Sequence, residues 1–128
     1  VPCNGAGAWE SAEALSLEPG TLAEADVLAT LGTGLRVSDL WYTNYSDRQA
    51  CRVTGMTRFA TFWVEDGEII APIQVMRFDD SAIRIFGDGL LALGAEAALG
   101  MSTSTYFQRA TGSTQVPGAL VDGLKLTL

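Results

Sequence analysis

Asp79-Asp80 is the densest carboxylate pair in the chain. It could be drawn as a pair of metal ligands, as an acid/base couple, or as the start of a helix. Side chains adjacent in sequence rarely face one another, and a helix start attracts acids, so capping is the favoured reading. Glu65, Asp66 and Glu68 form a second acidic cluster, but they surround an Asp-Gly turn, and a solvated hairpin tip accounts for them. Cys51 stands beside Arg52, whose guanidinium would stabilise a thiolate; the alternative is a half-buried strand cysteine with no chemistry. Trp41, Tyr42 and Tyr45 would suit a ligand groove or stacked bases, against ordinary packing on a sheet. The chain of 128 residues has no histidine. That removes Ser-His-Asp and Cys-His arrangements, the usual zinc ligands and the commonest general base. From residue types and spacing, no catalytic constellation is visible.

The element that must position these groups runs from residue 57 to 78, TRFATFWVEDGEIIAPIQVMRF, and reads as one long β-hairpin. Phe59, Thr61 and Trp63 alternate with Ala60, Phe62 and Val64; the second arm places Ile69, Ala71, Ile73 and Val75 on one side and Ile70 and Met76 on the other. Both faces are apolar, which predicts a central strand pair covered on both sides. Asp66-Gly67 supplies the two positive-φ positions of a type I′ turn and sets the register. Pro72 lacks a ladder donor and marks an edge or bulge near the middle of the second arm.

Before the hairpin, residues 1–14 read as an entering loop, and Leu15 to Glu18 as a short strand ended by Pro19-Gly20. Thr21 and Glu24 form the T-x-x-E pattern of a capping box, predicting a helix through about Leu31, with Gly32-Thr33-Gly34 at the left-handed C-cap. As a dinucleotide fingerprint that glycine cluster fails, because it closes a helix and does not open one after a strand. Leu35 to Tyr45 and Ala50 to Met56 are strand candidates either side of a polar turn, with Gly55 a bulge or point of close backbone approach. Beyond the hairpin, Ile83, Phe86, Leu90 and Leu93 fit a helix from Ala82 to Leu93, capped by Asp79-Asp80-Ser81 and broken near Gly87-Asp88-Gly89. Residues 94–118 read as mostly loop. The tail predicts a strand, an Asp122-Gly123 turn and an alternating Leu124, Leu126, Leu128. The fold class is α+β, mainly antiparallel β: a twisted sheet or partly closed barrel with a long central hairpin and two short helices, in one domain over residues 1–128.

Composition supports this. Hydrophobic residues are 48% of the chain, ample for a core. Eight basic against fifteen acidic residues leave a net charge of −7. No basic stripe exists to hold phosphates, so direct nucleic-acid contact is not expected. No run approaches a membrane span and no signal peptide is evident, which makes a soluble, cytoplasmic protein the expectation. Cys3 and Cys51 are expected to stay as free thiols. The chain starts at Val1 and not Met, as a processed or truncated piece would.

Three stretches taken in order, LSLEPGTLAEADVLATLGTGLRVSDLW, VTGMTRFATFWVEDGEIIAPI and VPGALVDGLKL, resemble the C-terminal domain of the TldD/PmbA family. The resemblance covers nearly the whole chain from Leu15. It implies an intracellular, two-domain, dimeric protein of a group first described as modulators of DNA gyrase. One branch looks like a zinc metallopeptidase with a HExxxH helix upstream and a third ligand, a cysteine, in this domain. The other branch, PmbA/TldE-like, lacks the metal site and pairs with the first. Counting back from Pro117, the cysteine slot falls in Met101 to Thr105, where this chain has Ser102, Thr103, Ser104 and Thr105. Hydroxyls replace thiolate poorly on zinc. The chain thus resembles the metal-free branch, with no cofactor of its own and zinc confined to the full-length protein or its partner.

The resulting expectation is a non-catalytic domain for dimer assembly and peptide-substrate enclosure. The dimer would be homomeric or heteromeric with a TldD-type subunit, and a sheet edge would hold an extended peptide by strand addition. Arg52, Gly55 and Arg58 are the substrate-binding candidates, since a close-approach glycine between cations suits a peptide backbone or carboxylate; the alternative is a pair of solvent-facing arginines. No residue is expected to be catalytic or to bind metal. Two other readings stay open: part of an active zinc metallopeptidase whose HExxxH segment lies elsewhere, and an independent small β domain that binds a ligand or partner.

Overall fold

Asp66 and Gly67 both adopt the left-handed region, with φ of 49° and 80°. The turn that the Asp-Gly pair dictates therefore forms, joining β3 (Arg52–Glu65) to β4 (Glu68–Pro72). In full, the computed structural model describes residues 14–103 and 112–127. Ahead of the hairpin lie β1 (Ala14–Ser16), a 3₁₀ turn (Glu24–Asp26), α1 (Val27–Leu31) and β2 (Gly34–Asp47). After it come β5 (Arg77–Ser81), α2 (Ala82–Phe86), β6 (Leu90–Met101), β7 (Ser113–Val121) and β8 (Leu126–Thr127).

Two sheets result. One has the order β2-β3-β5-β8, with β4 also on β3; the other is β1-β7-β6. Every pair is antiparallel except β1 with β7. The α+β, mainly antiparallel class with two short helices therefore holds, while the barrel alternative does not: the strand orders run from one edge to another without closing. The long hairpin is present with one interruption. β4 ends at Pro72, whose ring cannot donate, and β5 resumes the same arm against the first half of β3, from Met56↔Arg77 to Arg52↔Ser81. Backbone bonds from Ile73 N to Thr61 O (2.9 Å) and from Thr57 N to Met76 O (2.8 Å) carry the arm across the gap.

Three expectations need correction. The capping box does not form: Ala23 precedes the 3₁₀ turn with no side-chain cap. The reason is that residues 20–22 bond to β6, with Gly20 N to Gly94 O at 2.9 Å and Leu22 N to Leu93 O at 3.1 Å, so the helix starts later. Second, α2 stops at Phe86, and Leu90 and Leu93 lie on β6. The glycines break the helix as expected, but β7 offers β6 a ladder from Leu90↔Val121 to Met101↔Ser113, and pairing overrides the three-four spacing. For the same reason much of 94–118 is strand and not loop. Third, the hairpin is not covered on both faces by this chain: Phe59 is 73% and Ile70 56% exposed. The buried apolar side chains are Val64, Phe78 and Ile85, with Thr57, Thr61 and Asp80 beside them.

Other expectations hold. Gly32 closes α1 at the expected place with a positive φ of 64°, though its ψ of −93° lies outside the left-handed helical region, and it donates to Leu28 O at 3.0 Å. Ser81 caps α2, its hydroxyl accepting from Arg84 N. Cys51 is a free, half-buried thiol, though it sits in the turn before β3 and not on a strand. Cys3 and most of the entering loop lie outside the described residues.

Candidate functional site

β2 and β3 pair over most of their length but slip register three times. At the central slip, Trp41↔Met56 is followed by Asn44↔Thr54, so Tyr42 and Thr43 oppose Gly55 alone. At the next, Val37↔Thr61 is followed by Asp39↔Arg58, so Phe59 and Ala60 oppose Ser38. Each bulge turns an aromatic residue to positive φ, 59° at Tyr42 and 55° at Phe59. A β-carbon makes that conformation costly, about 1 kcal/mol or more per residue, and sites that hold it are often functional. Both rings face solvent, Tyr42 at 80% exposure.

Arg58 lies between these bulges. Its guanidinium carbon sits 4.6 Å from the Trp41 ring centroid and 5.1 Å from that of Phe59. Arg52, by contrast, donates through Nη2 to Asp79 Oδ1 and, at 3.3 Å, to Asp79 O. Hydrogen bonds from Ser46 and Arg52 hold the Asp79 carboxyl below its usual range. Alternation along β3 sends Arg52 and Arg58 to one face and Gly55 to the other. Gly55 pairs with Phe78, and a β-carbon there would meet Phe78 Cε1 at 2.7 Å and Trp41 O at 3.0 Å. The close approach expected of Gly55 is thus to the protein's own buried ring. The three residues named from sequence share a strand, and only Arg58 keeps its guanidinium free of a carboxylate.

Asp80, which pairs with Val53 on β3, was read from the sequence as a capping candidate in preference to a metal ligand or an acid/base group. It is buried, and its carboxylate receives Arg84 Nε at 3.0 Å and 3.1 Å, Arg84 Nη2, Ser81 N at 2.7 Å and Lys125 N at 3.1 Å. The Arg84 guanidinium foremost, against the opposing effect of burial, holds this carboxyl well below the carboxylate range. Arg84 also donates to Asp122 O (2.8 Å) and Gly123 O (2.7 Å), pinning the turn where the chain leaves β7 for β8. This is an architectural clasp, with no open side for a substrate.

A second feature is an open hollow of about 360 Å³ lined by Leu15, Gly100, Met101, Ser102, Gly112, Ser113 and Thr114. Met101 and Ser102 open the stretch 101–105 singled out in the sequence; Ser104 and Thr105 lie outside the described residues.

A comparison with curated proteins finds no match. A comparison with family models does: residues 7–128 match the PmbA/TldA metallopeptidase C-terminal domain. The chain belongs to this family. The match extends over almost all of the chain, so both sheets, the Arg58 site and the hydroxyl-lined hollow fall within the PmbA/TldA domain. Metallopeptidase chemistry needs a ligand set, and the described residues do not supply one. The sequence has no histidine, and among the described residues no three of His, Cys, Asp and Glu come together to hold an ion. The hydroxyls of the hollow are hard, neutral donors that suit zinc poorly. Among the described residues no helix is long and apolar enough to cross a membrane.

Proposed function

We propose that this domain serves a PmbA/TldD-type peptidase-related protein without being its catalyst, and that it builds the dimer and encloses the peptide substrate. One observation carries the reading. Among the described residues three apolar side chains are buried, while seventeen large ones are exposed, among them Trp41, Tyr45, Phe59, Trp63, Ile69 and Ile70 on β2, β3 and β4. So many large apolar side chains left exposed against so few buried suit a domain that is covered by a partner. A second subunit, another copy or a TldD-type partner, is the cover that suits a family of peptidase-related domains.

Peptide enclosure has support from the edge of β2, which among the described residues pairs only with β3, and from the guanidinium of Arg58 over Trp41 of that strand, which has no ion-pair partner among those residues. An extended peptide can add to such an edge through main-chain bonds. We place the chain nearer the metal-free branch because serine and threonine occupy the slot of the soft ligand. Any gyrase connection would run through protein contacts, since a net charge of −7 repels DNA. The cytoplasm is the compartment this reading expects.

The test is metal analysis and peptide cleavage by the purified protein, alone and mixed with a TldD-type subunit. Only the mixture should cleave, and the protein alone should carry no stoichiometric zinc. Zinc bound one per chain and lost on chelation, with cleavage by this protein alone, would make it the peptidase itself.

A further inference from the structure

Three of the chain's arginines are spent on its own carboxylates: Arg36 on Glu24, Arg52 on Asp79 and Arg84 on Asp80. Arg58 is in no ion pair among the described residues. Asp39 is its cross-strand partner on β2, yet the guanidinium lies outside ion-pair distance of it and rests on the Trp41 and Phe59 rings instead. A cation–π contact of this kind does not consume the N–H donors of the guanidinium as an ion pair would. A guanidinium seated beside two rings has less freedom to lose on binding, and its planar fork can take the two oxygens of a carboxylate through parallel hydrogen bonds.

The backbone supports the same reading. Phe59 reaches its place beside Arg58 by adopting φ 55°, and Tyr42, next to Trp41, adopts φ 59°. Two aromatic residues held at positive φ, one on each strand at separate bulges, are an unfavourable local choice, and bulges re-aim side chains where a site requires it. Arg48 lies over only one ring, that of Tyr45, beyond the end of the ladder.

We propose that Arg58, seated on Trp41 and Phe59, is a receptor for the carboxylate of a bound peptide. The inference rests on the peptide-enclosing reading above and adds to it the chemical group that is recognised. Peptide carboxylates come from the chain terminus or from Asp and Glu side chains, and the site's chemistry is the same for both.

The experiment is an NMR titration of the protein, followed at the Arg58 Nε–H resonance, with three probes: acetyl-pentaalanine as the free acid, the same peptide as its carboxamide, and a carboxamide peptide with glutamate as its last residue. The free acid should bind about ten-fold tighter than the carboxamide at low salt, as expected for a hydrogen-bonded charge pair. The glutamate peptide should shift the Arg58 resonance if side-chain carboxylates are also accepted. Arg58→Gln should erase the preference, and Arg58→Lys should restore little of it, because an ammonium lacks the fork. Equal binding of acid and carboxamide to the wild-type protein would overturn the carboxylate inference while leaving peptide enclosure standing. Binding of neither would overturn both. A preference that survives in Arg58→Gln would move the receptor elsewhere. The wild-type comparison of acid with carboxamide decides the matter even if a variant fails to fold.

Discussion

Asp80 and Arg84, one turn apart across the start of α2, form an ion pair whose carboxylate is 1% exposed, and whose arginine reaches on to the carbonyls of Asp122 and Gly123. The pair thereby ties the five-stranded sheet, α2 and the segment that returns from the other sheet into one unit. Neutralising Asp80 removes the buried carboxylate on which Arg84, Ser81 N and Lys125 N converge. Asp80→Asn is expected to lower unfolding free energy by about 3 kcal/mol, read from urea titrations at neutral pH. A change below about 0.5 kcal/mol, the level of a surface substitution, would show that the clasp is not structural.

The same carboxylates set the acid limit. Asp80 and Asp79 both have folded-state pKa values below those of the unfolded chain. Groups of this sign add stability that is fully present above the unfolded value, about 3.9, and is lost as pH falls below it through the folded value. The urea midpoint should therefore hold between about pH 7 and 5 and decline steeply below about pH 4. In Asp80→Asn that decline should be shallower. An unchanged slope would remove Asp80 from the account.

Gly55 has its β-carbon position filled by Phe78 and the Trp41 carbonyl. Gly55→Ala should cost about 1–3 kcal/mol, as overpacking against a buried ring does. Gly118→Ala, where nothing lies within 4 Å, is the matched control and should change stability by no more than about 0.5 kcal/mol. Thermal melts of the two variants distinguish a specific clash from a general effect of glycine replacement.

Much of this was readable in advance, and the boundary has physical causes. Asp66-Gly67, Gly32 and Ser81 are local signals whose conformation depends on the residue itself, and each does what its type dictates. Gly55 was readable as a close approach, but what approaches it, Phe78, is 23 positions away in sequence. β6 was misread in two pieces, Leu90 and Leu93 as the end of a helix by their spacing and residues 94–101 as loop; only the ladder to β7, a non-local partner, selects the strand. The Arg58 site was half legible. The arginine and nearby aromatics could be named, but the bulges that bring Trp41 and Phe59 to it depend on register slips that no local pattern announces.

Phe59 separates stability from recognition. Phe59→Gly relieves a positive φ that costs about 1 kcal/mol and removes a cation–π contact worth about 0.5–1 kcal/mol. Stability is expected to stay within about 1 kcal/mol of the wild type while the preference for free-acid over carboxamide peptides weakens. A large loss of stability with the preference intact would make the ring a packing element and not part of the receptor.

The most direct measurement of the central claim is the molar mass of the protein by light scattering, alone and mixed with a TldD-type subunit, for wild type and Ile70→Asp. Ile70 is 56% exposed on β4, so the substitution disturbs little within the chain while placing a charge in the apolar surface. The account predicts a dimer in at least one of the two samples, alone or mixed, and its dissociation by Ile70→Asp with the fold intact. A wild-type protein that stays monomeric in both, with its apolar sheet uncovered, would contradict it.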